Sequence, residues 1–443
     1  MFNVRQFGAL GAGASVDETA AIQAAIDAAA ALTGGGRVIV PPGNYLVSNL
    51  YIKSHVDFFG SGNSTKFTAK SGTTGAVISN FDADVERCHL GHFWIEGNLS
   101  GADVTGVSMN SDGGDWVGAD PEIKLSEIMV TNVDNDGFIF TGSRAVRGFR
   151  LRVRNPGNDG IAIMPGAIDS TADCSFVDCS SEAAGRDLLH VEGHGNIFTN
   201  FKMGGLGATR YGVFCGTLCF DGLFTGIIVD ATVTTGWRIE GNANIFNGCG
   251  CQNIEGISIT LAGTAQDNIF NGFTLGTAGS TYPVLATSGV LRNRVVLSAR
   301  GTRTADFDPA SDLVNNTVIV NANDYSSYGT YTPIIANTAN MSASSPRLCQ
   351  WSRNGKMVHV SGAVDIDPTA GSTFTGYTLT FPIASNITLV TECNGTMGYS
   401  TGSVVVNGSI RPEVGANTAV VEFISDAGAA SQTHNFQFSY LIK

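Results

Sequence analysis

Apolar residues in this chain come in short bursts, separated by Asn, Asp, Gly and Pro, and only one stretch keeps a helical period. In Ser15–Leu32 (SVDETAAIQAAIDAAAAL), Ile22, Ala25, Ile26 and Ala29 share one face. Ser15 or Asp17 is the expected N-cap, acids occupy the first turn, and TGGG (Thr33–Gly36) ends the helix. Arg37–Ser48 (RVIVPPGNYLVS) then reads as strand, turn, strand.

From there the bursts follow a ruler. Segments beginning at Asn196, Gly222, Asn244, Asn268, Asn293 and Asn316 are spaced by 26, 22, 24, 25 and 23 residues. NVDNDGFIF (Asn132–Phe140) and NPGNDGIAI (Asn155–Ile163) fall on the same ruler, 155 − 132 = 23 residues apart. A β-rich repeat of this length predicts a solenoid, because a single coil cannot bury its apolar side without neighbours. A parallel β-helix is the expected form. About twelve coils between residues 37 and 325 would make a rod of roughly 55–60 Å, its open first coil covered by the helix. After Asp324 the texture changes. Val358/Val360/Val364/Ile366 and Phe436/Phe438/Tyr440/Ile442 alternate cleanly, which predicts an antiparallel sandwich. The expected division is 1–36 for the opening and capping helix, 37–325 for the β-helix and 326–443 for the sandwich.

Composition narrows the partners. Gly is 56 of 443 residues, charged residues are 14%, and 25 − 38 gives a net charge of −13 with no basic run. Nucleic acid and anionic membranes are therefore poor partners. The nine cysteines show no facing pairs at zinc spacing and are expected as buried free thiols of a protein made in a reducing cytosol. No apolar run approaches the ~20 residues of a membrane span. MFNVRQFGAL lacks the basic and apolar regions of a signal peptide, so work outside the cell would require release by lysis.

Phe7–Ser48 resembles the opening of the pectate-lyase-like right-handed β-helix superfamily. It carries that opening's helix (Asp17, Thr19, Ala21, Ile22, Ala25, Ile26) and its Val40, Pro42, Gly43, Tyr45 turn. The tail resembles the C-terminal sandwich of phage tail spikes and fibres in YTPIIANTANM (Tyr331–Met341), WSRNGKMVHVSG (Trp351–Gly362) and LTFPIAS (Leu379–Ser385). Together these resemblances imply a homotrimeric bacteriophage tailspike that docks to a phage tail or baseplate protein. They imply action outside the cell, on a bacterial surface polysaccharide such as capsule or O-antigen. The last domain would then serve trimerisation or glycan binding. DNDG (Asp134–Gly137), GNDG (Gly157–Gly160), GHG (Gly193–Gly195) and RIE (Arg238–Glu240) also resemble polygalacturonase motifs. Asn158 and Glu240 depart from that pattern, standing where it has Asp and Lys.

Placing the coils on one another sets Asp136, Asp159 and Asp187 in a column, with His190 and Glu192 on the adjoining outer face. Carboxylates on adjacent coils lie ~5 Å apart at the backbone and those two coils apart ~10 Å, so retaining and inverting hydrolysis both fit. Asp136, Asp159, Asp187 and Glu192 are the catalytic candidates. His190, Trp116, Arg210, Tyr211, Trp237 and Arg238 are the candidates for holding sugar. Asn-Asp-Gly is also ordinary turn chemistry, in which Asp136 and Asp159 bond their own backbone, and the same reading suits His194. No cofactor or metal is called for. Two alternatives stay open. One is a lyase using Arg186, His190 and Arg210 against a uronate; the other is a spike that binds without cutting.

Overall fold

The computed structural model describes the chain except residues 81–84, 99–102, 112–121, 168–169, 206–209, 232, 277–281, 300–315, 321–327, 355–356, 386, 402–403, 428–430 and 443. It divides into two compact units, Met1–Asn316 and Thr317–Lys443.

The first unit is a parallel β-solenoid. Its helix spans Thr19–Ala30 and buries Ile22, Ala25, Ile26 and Ala29, as the periodicity predicts. Its start differs from expectation. Ala12–Asp17 is a strand paired with Gly43–Val47, so Ser15 and Asp17 lie before the helix and Glu18 takes the cap position. The Glu18 carboxylate turns away from the helix to accept the N–H groups of Leu10 and Gly11. Asp17 accepts the N–H of Thr19 at 3.0 Å and so still closes the first turn. A strand partner far along the chain has overridden a local helical pattern.

Each middle coil has three short strands, for example Ile161–Met164, Ser175–Val177 and Ser180–Glu182. One face of the solenoid is a ten-stranded parallel sheet from Leu50–Ile52 to Tyr282–Ala286, and the other strands join in a 21-stranded sheet. Along the ten-stranded face Phe138, Ile161, Leu189, Val213, Trp237, Ile259 and Val284 stack in register, all pointing inward and fully buried. Behind them Phe176, Phe198, Phe224, Phe246 and Phe270 stack at 5.6, 4.9, 4.8 and 4.2 Å, close to the rung spacing of a parallel sheet.

The ruler of the sequence is a hydrogen-bond ladder at one corner. Asn244 accepts the Gly222 N–H, Asn268 accepts that of Asn244, Asn293 that of Asn268 and Asn316 that of Asn293, each at 2.9–3.0 Å. Their amide groups donate to the next side chain and to carbonyls such as Gly241 O, so buried polar backbone is satisfied within the stack. Replacing Asn268 by Ala strands the N–H of Asn244 and removes one of the two acceptors of its side-chain amide, which keeps Cys219 O. The expected cost is about 2 kcal/mol, within the roughly 1–3 kcal/mol of one orphaned buried group. A thermal melt followed by circular dichroism checks it, and an unshifted midpoint would refute the ladder's role. The second recurring asparagine has another use. Asn132 and Asn155 sit at corners with φ of 54° and 52°, a conformation that Asn tolerates better than most side chains.

All nine cysteines are buried and unpaired, as the composition suggested. The second unit is a curled antiparallel sheet of ten strands. Met357–Pro368 pairs with Gln432–Leu441, placing Val358 opposite Tyr440 and Val360 opposite Phe438. The two alternating series face its core, and every member is buried.

Candidate active site

The three aspartates do form a column, but their bonds run along the solenoid axis. Asp136 Oδ1 accepts the Asp159 N–H at 2.9 Å and the Asn158 amide at 2.8 Å. One coil on, Asp159 Oδ1 accepts the Asp187 N–H at 3.1 Å and Arg186 Nε at 2.7 Å. Asp187 Oδ1 accepts the Tyr211 N–H at 3.1 Å and Arg210 Nε at 3.2 Å. Each aspartate thus ties down the start of the next coil's strand, and the residue before that strand completes the tie. The alternative expected for Asp136 and Asp159 was a bond to their own backbone; both instead bond the backbone of the following coil. Asp159 and Asp187 are fully buried and Asp136 nearly so, because their oxygens serve buried N–H groups of the following coil.

Charge is concentrated at the middle of this column. Arg186 grips Asp159 with two nitrogens, and His190 Nδ1 donates to Asp159 Oδ2 at 2.9 Å. Burial works against the Asp159 carboxylate, but His190 and Arg186 outweigh it and hold its pKa below the usual range. Burial dominates at Asp136 and at Asp187, pushing both carboxyls up, with Arg210 opposing the shift at Asp187. For His190, burial disfavours the cation, yet Asp159 and Glu192 raise its pKa to about 9. The imidazole is therefore charged at neutral pH, with Nε2 facing Glu192 Oε1 at 3.7 Å.

A pH dependence follows from His190. Its folded pKa of about 9 lies above the ordinary 6.5, so its stabilisation is complete below pH 6.5 and is lost as pH rises through 9. The difference corresponds to roughly 3 kcal/mol. The melting temperature should fall across that window, and a His190→Gln variant should show a flatter profile; identical profiles would contradict the assignment.

Glu192 follows the strand Asp187–Val191 and is partly exposed. Its Oε2 accepts the Leu218 N–H at 3.1 Å, and the carboxylate leans over Gly216, where a Cβ would stand 1.8 Å from Oε1. Glu192, Gly216 and Glu240 are in register on three consecutive coils, through bonds to Ile163 O, Val191 O and Cys215 O. Glu192 and Glu240 are thus two coils apart, ~10 Å at the backbone, with only a glycine between them. Glu240 Oε1 accepts Arg238 Nε at 2.7 Å. The sequence reading left Glu240 out, although 192, 216 and 240 follow one another at 24 residues, in step with the ruler.

Beside this gap the Tyr211 ring lies between two guanidiniums, Arg210 at 4.7 Å and Arg238 at 5.5 Å. Arg210 also covers Phe214, whose ring is 4.9 Å from that of His190. Of the other residues expected to meet sugar, Trp237 requires correction. It is fully buried against Phe224, Phe246 and Phe273, because it shares the inward parity of Leu189 and Val213. Trp116 lies outside the described residues. His194 stacks on Phe220 at 4.7 Å, next to Gly195 at φ 63°. Asp159, Asp187 and His190 place potential metal ligands within 4.8 Å of one another. Two guanidiniums already compensate those carboxylates, Arg186 on Asp159 and Arg210 on Asp187.

Residues 1–179 match the family described as rhamnogalacturonase A/epimerase, pectate lyase-like. The chain is 39% identical over 158 residues to mannuronan C5-epimerase AlgE3 of Azotobacter vinelandii, covering 31% of this chain and 8% of that protein. It is 36% identical over 102 residues to the tail spike protein of Shigella phage Sf6, covering 22% of this chain and 16% of that one. The matched stretch therefore spans less than a fifth of either relative. In structure, all of this chain aligns with 70% of the enzymatically active domain of bacteriophage CBA120 tailspike protein 2, at TM-score 0.55 and 17% identity. That likeness is one of fold. The first 179 residues thus match a pectate lyase-like family, and the coils of the first unit, with a helix over the first of them, form a parallel β-helix of the kind that the opening motif implied.

Proposed function

We propose that this chain is a polysaccharide depolymerase of the phage-tailspike kind, cutting a bacterial surface glycan by hydrolysis between Glu192 and Glu240. The observation that carries this reading is the carboxylate pair two coils apart across a bare glycine, beside the Arg210–Tyr211–Arg238 platform. Inverting glycosidases hold their two carboxyls roughly 6.5–9.5 Å apart, and the lean of Glu192 over Gly216 brings a ~10 Å backbone spacing toward that window. Glu192 faces the His190 imidazolium and acts as the base, taking a proton from the attacking water. Glu240 supplies the proton to the glycosidic oxygen as its bond to the anomeric carbon breaks. Asp159 and His190 position Glu192, and Asp187 positions Arg210. Tyr211 and the two guanidiniums bind the sugar.

The similarity to a phage tail spike protein supports a place on the virion tail, in a homotrimer carried by a phage tail or baseplate protein. Among the described residues no helix is long and apolar enough to cross a membrane. The similarity to a mannuronan epimerase favours one other reading, in which the guanidiniums hold a uronate and the chain breaks by elimination. Incubation with host capsule or O-antigen is expected to release saturated fragments with new reducing ends of inverted anomeric configuration, read by NMR. Unsaturated, ultraviolet-absorbing ends would replace hydrolysis by elimination. Binding without any shortening of the polymer would reject both.

A further inference from the structure

The second unit carries an open groove of about 1000 Å³ on the face of its sheet opposite the apolar core. Five adjacent strands build it, and their register puts Tyr328, Ser352, His359, Ser439 and Asn394 in one row across its floor. Two residues along each strand, Gln350 and Gln437 belong to a second row of the same kind. Among the described residues, no Lys, Arg, Asp or Glu lines the groove, in a chain with 63 such residues (25 + 38). Outside it, Arg347 and Asp365 pair with each other at 2.9 Å.

This chemistry discriminates between ligands. An anion is recognised by Arg or Lys, a divalent cation by carboxylates, and a protein partner by an apolar or aromatic patch centre. The groove floor offers hydroxyls, amides and an imidazole, which pair with groups that both donate and accept. His359 Nδ1 lies 2.7 Å from Ser439 Oγ, which holds the ring in the row and leaves Nε2 to the groove. Tyr328, 56% exposed, brings aromatic surface to one edge, of the type that sugar rings stack on.

We infer that this groove is a second glycan site, a non-catalytic one selective for uncharged sugar residues. It shares with the proposed function only the premise that the chain meets a polysaccharide. The test is saturation-transfer NMR on the full chain with methyl glycosides of glucose, galactose and N-acetylglucosamine, and with methyl glucuronide as the acidic control. Transfer to at least one neutral glycoside is expected, with affinity about tenfold lower in a His359→Ala/Gln437→Ala double variant that loses two exposed hydrogen-bonding groups. Its melting temperature should match the parent, since neither side chain is buried. Transfer unchanged in the variant, transfer to the glucuronide alone, or no transfer to any neutral glycoside would overturn the inference. So would self-association of the parent that the variant abolishes. Polymer cleavage assayed on the same variant separates the two sites: loss of sugar contact with cleavage retained supports this site, whereas a parent that never cleaves rejects only the solenoid reading.

Discussion

Glu192→Gln is expected to slow glycan cleavage by about 10²–10⁴-fold, the usual contribution of a general acid or base. The substitution is nearly isosteric, and a Gln carbonyl still accepts the Leu218 N–H, so the fold should be kept, with a small drop in melting temperature as His190 loses part of its counter-charge. What is lost is the charge facing the His190 imidazolium and the capacity to take a proton from water. Glu240→Gln is expected to cost a similar factor. The double variant should be little worse than either single one, because two halves of one proton relay are not additive. Reducing-end release at saturating polymer isolates the effect on kcat, with KM nearly unchanged. A Glu192→Gln protein that cleaves at the parental rate would remove the carboxylate pair from the mechanism.

Asp159→Ala addresses stability rather than chemistry. It leaves the Arg186 guanidinium and the buried His190 imidazolium without their shared counter-charge, and leaves the Asp187 N–H without its acceptor. Breaking a buried pair in this way costs roughly 3–5 kcal/mol. His190 responds by giving up its proton, so the pH-dependent part of the stability should disappear in the same variant. Asp136→Ala removes a tie to a neutral Asn158 and one N–H, and the expected loss is smaller. Denaturant unfolding of the two variants side by side measures the difference. Equal losses would mean that the ion triad contributes nothing beyond the backbone tie.

The fold was legible because a solenoid writes its pitch into the sequence. Asn244, Asn268 and Asn293 mark the same corner of successive coils, and strand parity separates core from surface without further information. The same parity assigns Trp237 to the core, since it aligns with Leu189. An aromatic beside Arg238 suggested sugar stacking only while the register was ignored. The bonding of the aspartates was not legible. An Asp-Gly turn looks alike whether its carboxylate folds back locally or reaches a backbone 23 residues on, and only stacking decides. Glu240 was missed for a related reason. Its value depends on Gly216 leaving space, and the importance of an empty position is visible only once three coils are superposed.

The aspartate column also gives the solenoid a direction. Asp136, Asp159 and Asp187 each supply an acceptor for the coil that follows and none for the coil before. A finished coil thereby acts as a template that fixes where the next one begins. The helix-covered end is synthesised first, so in this stretch growth by copying runs with translation. Each new coil meets a partner already formed. The edge awaiting the next strand is always a single rung, which limits the time that any open strand is free to pair with another chain.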